Sequence, residues 1–98
     1  MDKEQVVSKL RAHEPELKAA GIVHLRLFGS VARGDATPLS DVDLMADFDR
    51  PQSLTLVRVG RLESRLRDIL GVNVDLSSPD WMREPVRTRA IKEAVLAF

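Results

Sequence analysis

The segment from Leu27 to Asp49 constrains this chain more tightly than any other. It holds two strand-like runs separated by a short, turn-rich stretch. Side chains alternate across a strand, so residues two apart share a face. In the second run Asp41, Asp43, Met45, Asp47 and Asp49 fall on one side, and Val42, Leu44, Ala46 and Phe48 on the other. The apolar side predicts a strand over about Asp41–Asp47 packed on a core. The acidic side is harder to explain. Between Asp35 and Asp49 there are five aspartates and no lysine or arginine. Like charges side by side on a sheet cost roughly 0.2–1 kcal/mol per pair. In an ordinary amphipathic strand, solvent absorbs that charge. In a site, a hard cation such as Mg²⁺ does so, taking carboxylate oxygens and substrate phosphates together.

The remainder of the chain supplies a frame. At 98 residues, with 44% hydrophobic and 31% charged residues, it reads as one domain spanning 1–98 with a small core. Aromatics are only 4%, so Leu, Val, Ile and Ala must fill that core. Zero formal net charge argues against bulk electrostatic binding to nucleic acid. The lack of cysteine excludes disulfides, thiolate metal sites and thiol nucleophiles. No apolar run reaches membrane-spanning length and no signal-peptide pattern opens the chain, so a cytoplasmic protein is the expectation.

Met1–Ala20 reads as helix, broken near His13–Glu14 by Pro15 and closed by Gly21. Ile22–Phe28 is the first strand, with Val23, Leu25 and Leu27 on one face, and Ser30–Arg33 is a single helical turn stopped by Gly34. A second long helix starts at Pro51–Ser53 with Ser53 as its cap, buries Leu62, Leu66, Ile69 and Leu70, and ends at Gly71. Its arginines, Arg58, Arg61, Arg65 and Arg67, form a solvated face or a partner surface. Val72–Leu76 is a third strand, and a last helix runs from after Pro85 to the end. Alternating helices and strands predict an α/β or α+β layer fold. Its sheet is small and mixed, of three strands or slightly more, with helices mainly on one face. The short link before Ser40 favours an antiparallel first pair, and the long helix favours a parallel or more remote third strand.

Two features upstream of the acidic strand bear on chemistry. Gly29 lets a backbone approach a ligand closely, and the amides at Gly29-Ser30 and the following turn suit a phosphate, with the Ser30 hydroxyl as a further donor. Taken alone, the same residues make an ordinary tight turn. Arg33 lies close enough to touch phosphates, and it equally suits pairing with Asp35 or Asp49.

Gly29-Ser30, ten residues, then Asp41-Val42-Asp43 matches the signature of the polymerase-beta-like nucleotidyltransferases. The strings Phe28-Gly29-Ser30-Val31-Ala32-Arg33-Gly34-Asp35 and Ser40-Asp41-Val42-Asp43-Leu44 resemble its small branch, the minimal nucleotidyltransferases, which include antitoxins partnered with HEPN-domain toxins. The resemblance implies that fold. It also implies that Asp41 and Asp43 hold one or two Mg²⁺ ions on a bound ATP, with Asp75 as third carboxylate and proton acceptor. Larger members carry an extra domain for the acceptor; here a second chain is expected to bring it. The implied reaction is AMP transfer from ATP to a hydroxyl, a tyrosine by expectation, of a HEPN toxin. Two alternatives stay open. One is a binding module that neutralises its partner by contact, using the arginines, Trp81 and Met82. The other is a nucleotidyltransferase acting on a small molecule or an RNA end with a second subunit.

Overall fold

The computed structural model describes residues 1–98. Asp2 opens the first helix, α1 (Lys3–Ala12), through a reciprocal cap: its carboxylate accepts the Gln5 N–H and the Gln5 side chain accepts its own. The expected break falls at His13. Beyond it α2 (Glu14–Ala19) carries Pro15 in its first turn, where a missing N–H costs nothing. Strand β1 (Ile22–Phe28) has the expected bounds, but its register shifts between Ile22 and His24. Ile22 is therefore buried and Val23 is 40% exposed, leaving Leu25 and Leu27 as the inward pair.

A five-residue helix, α3 (Gly29–Arg33), follows and ends at Gly34. A turn closed by the Thr37 N–H donating to the Ser40 hydroxyl at 2.9 Å leads into β2 (Val42–Phe48), one residue later than expected. Pro51–Ser53 forms a separate 3-10 turn. The long helix α4 (Leu56–Leu70) is capped by Thr55, whose hydroxyl accepts the Arg58 N–H, and not by Ser53. Extended backbone at Leu54 separates the two, so Leu56 and Val57 point into solvent instead of extending the buried stripe. Gly71 closes α4 in the left-handed conformation, as its position suggested.

Strand β3 (Val74–Ser77) starts two residues later than expected, because Asn73 remains in the connection; its carbonyl accepts the Val42 N–H at 2.9 Å. A 3-10 turn at Pro79–Trp81 and α5 (Val86–Glu93) follow. The last helix does not reach the end of the chain. Ala94 is extended, and β4 (Val95–Leu96) pairs with β1, giving its backbone a sheet edge to satisfy instead of a helical turn.

The sheet has four strands in the order β3-β2-β1-β4, with β1 antiparallel to both neighbours and β2 parallel to β3. One face carries Leu25, Leu27, Val42, Leu44, Ala46, Val74 and Leu76 into a cluster with Val6 and Leu10 of α1, Leu17 of α2, and Leu62, Leu66 and Leu70 of α4. No α5 side chain joins it. Alternation sends Asp43, Met45 and Asp47 to the opposite face. There Met45 is fully buried and Asp47 is bound to Arg26 at 2.7 Å. The acidic face is thus partly covered and partly neutralised. Its uncompensated charge is concentrated at the Asp43 end. No helix is long and apolar enough to cross a membrane.

Candidate active site

Asp43 stands where three elements meet. Strand β1 ends beside it, since Phe28 is its partner in the antiparallel register. On its other flank Asp75 of β3 is its partner in the parallel register, which places both carboxylates on one face. Asp41 lies two residues upstream, exposed at the mouth of β2. Asp41, Asp43 and Asp75, the three carboxylates that the family resemblance singles out, thus lie at one end of the sheet. None of the three accepts a hydrogen bond or an ion pair from the protein, as neither the side-chain bonds nor the salt bridges include them.

The electrostatics follow from that isolation. Asp43 is half-buried, and burial pushes its carboxyl above the ordinary aspartate range. The charges of Asp75 and Asp41 push in the same direction, Glu93 adds to them, and only the Arg33 guanidinium opposes. Such a corner holds oxygen donors without a resident counter-charge, the chemistry that a hard divalent cation satisfies. As the side chains stand, no three acidic groups close around a common point. A metal would have to draw them together.

Gly29 forms the opposite wall. Its φ is +75°, a conformation that side-chain-bearing residues rarely adopt. A Cβ there would run into Asp43: it would meet Oδ2 at clashing range, Cγ at 3.0 Å and Cβ at 3.2 Å. Glycine at this position is therefore required both by the backbone turn and by the approach of Asp43. The Ser30 hydroxyl, half-buried one residue on, has no hydrogen-bond partner.

Two site features differ from the sequence reading. Arg33 does pair with Asp35, at 3.2 Å, but not with Asp49; its second partner is Glu93, at 3.1 Å. The Gly29 N–H, expected to face a phosphate, donates to Glu93 Oε1 at 3.1 Å. Glu93 carries no motif and sits sixty or more residues from the groups it binds. No local pattern in the sequence marks it.

Comparison with known proteins bears on the family and the fold. Residues 5–97 match the family model described as a nucleotidyltransferase domain. Protein adenylyltransferase MntA of Thermococcus cleftensis is 34% identical over 93 residues, covering 94% of this chain and 92% of that protein. A solved structure assigned as a minimal nucleotidyltransferase superposes with a TM-score of 0.80 at 36% identity, covering 97% of this chain and 95% of the other. The MNT antitoxin complex with a tri-AMPylated HEPN toxin, from Shewanella oneidensis, gives a TM-score of 0.60 at 15% identity over 90% of this chain and 71% of the solved one, a likeness of fold. With a family model spanning nearly the whole chain and an adenylyltransferase relative matched over nearly all of its own length, this protein belongs to the nucleotidyltransferase domain family and is an enzyme of its minimal branch.

Proposed function

We propose that this chain transfers AMP from ATP to a hydroxyl, a tyrosine in our reading, of a HEPN-type partner protein and thereby acts as its antitoxin. The observation that carries the reading is Asp43: half-buried, without a protein partner, flanked by Asp75 and facing the backbone of Gly29. Support for nucleotide-transferring chemistry comes from the adenylyltransferase name of the Thermococcus relative. The partner class rests on the sequence resemblance and on the fold-alike Shewanella complex.

In this reading Asp41, Asp43 and Asp75 hold Mg²⁺. When bound, the ion supplies charge neutralisation at the phosphates and polarises the oxygens of the reacting centre. The Gly29 amide and the Ser30 hydroxyl orient the triphosphate, and Arg33 offers its guanidinium to the same oxygens. Asp75, the exposed member of the acidic pair, takes the proton of the acceptor hydroxyl. The acceptor oxygen then forms a bond to the α-phosphorus while the bond to the bridging oxygen breaks, and pyrophosphate leaves.

Intact mass spectrometry of the protein encoded beside this one, after incubation with the enzyme, ATP and Mg²⁺, tests the assignment. One or more AMP-sized increments on a tyrosine are expected. A stable complex with no increment would overturn catalysis. It would favour neutralisation by contact, for which Leu56 (92% exposed), Val57, Arg58 and Arg61 offer an unpaired surface on α4. Transfer to an RNA end or a small molecule instead would move the substrate and leave the site intact.

A further inference from the structure

Glu93 sits in an unfavourable place for a carboxylate. It is the last residue of α5, where the helix dipole disfavours negative charge, and it adds to the charge around Asp43. Something else must hold it there. Its Oε1 accepts the Gly29 N–H at 3.1 Å, and both its oxygens accept from Arg33 Nη1, at 3.2 and 3.1 Å. The side chain is only 18% exposed. Two oxygens of one anion thus take a backbone amide at the edge of the Asp43 corner and a neighbouring guanidinium, donors that suit a phosphate equally well.

We propose that Glu93 is an internal anion seated on the donors that a nucleotide phosphate would use, and that a nucleotide binds by displacing it. The inference rests on the nucleotide site proposed above and adds to it a gate on affinity. Two observations favour displacement over a fixed structural clasp. The Arg33 side of the contact is 46% exposed, and exposed ion pairs contribute little. Arg33 keeps a second partner in Asp35, so it is not stranded when Glu93 leaves.

Glu93→Gln keeps the side chain's shape and removes its charge. Calorimetric titration with a non-hydrolysable ATP analogue in Mg²⁺ is expected to give a dissociation constant about tenfold lower than wild type, the change produced when a competing closed state populated at roughly 90% is lost. Adenosine, which has no phosphates, should show no such difference. Glu93→Asp, which retains the charge but shortens the reach to Gly29, should fall between the two and guards against a folding defect in the first variant. Equal or weaker analogue binding by both variants would overturn the gate while wild-type binding leaves the site standing. A wild-type enzyme that binds no analogue would overturn the site, and the gate with it.

Discussion

Asp43→Asn is expected to raise the melting temperature of the protein while removing the proposed AMP transfer. The isosteric amide keeps the packing between Gly29 and Asp75 but deletes a charge that burial, Asp75 and Asp41 all oppose. Relief of one like-charge pair, that with Asp75, at roughly 0.2–1 kcal/mol, with about 4–8 °C per kcal/mol in a domain of this size, predicts a gain of about 1–8 °C at pH 7. The sign reverses the usual carboxylate case. Because the folded state raises the Asp43 pKa, its contribution to stability is fully present below the ordinary value of 3.8 and is lost as pH rises through the elevated one. The gap between variant and wild type should therefore open as pH rises and close in acid. Activity moves the other way. If Asp43 holds the metal as proposed, its loss costs several kcal/mol of transition-state stabilisation, so transfer is expected to fall about a thousandfold or more. Thermal melts across pH, beside a transfer assay, read both arms.

Gly29→Ala is expected to have the opposite stability effect and the same functional one. Alanine at φ +75° is strained, and its Cβ cannot fit against the Asp43 carboxylate without moving it. Strain of this kind costs about 1–3 kcal/mol, each kcal/mol lowering the melting temperature by about 4–8 °C. Transfer should be lost together with stability, since the residue displaced is the centre of the site. Gly34→Ala provides the control. Its φ is +82°, but nothing lies within 4 Å of an added Cβ. Stability should drop through backbone strain alone, and transfer measured below the transition should persist.

The parts of the fold legible in the sequence are those set by local periodicity. The alternation from Val42 to Phe48, the Leu62, Leu66 and Leu70 stripe and the glycines after α3 and α4 each specify an element within a few residues. The spacing from Gly29-Ser30 to Asp41 and Asp43 marks the acidic corner in the sequence, and Asp75 is assigned to it only through the family resemblance. Competition among local signals hid the rest. Ser53 and Thr55 both suit a helix cap, and extended backbone at Leu54 decides for Thr55. The alanine-rich end from Ala90 to Phe98 has helical propensity, yet the open edge of β1 recruits Val95–Leu96 as a strand. Glu93 was invisible because its partners, Gly29 and Arg33, are brought to it only by that same tertiary pairing.

The measurement that tests the account most directly is calorimetric titration of the wild-type enzyme with a non-hydrolysable ATP analogue, in Mg²⁺ and again in excess chelator, repeated with Asp43→Asn. Binding that requires both the metal and Asp43 is the predicted result. Binding of equal strength in chelator, or undiminished in the folded variant, would contradict a metal-dependent nucleotide site at the meeting of β1, β2 and β3.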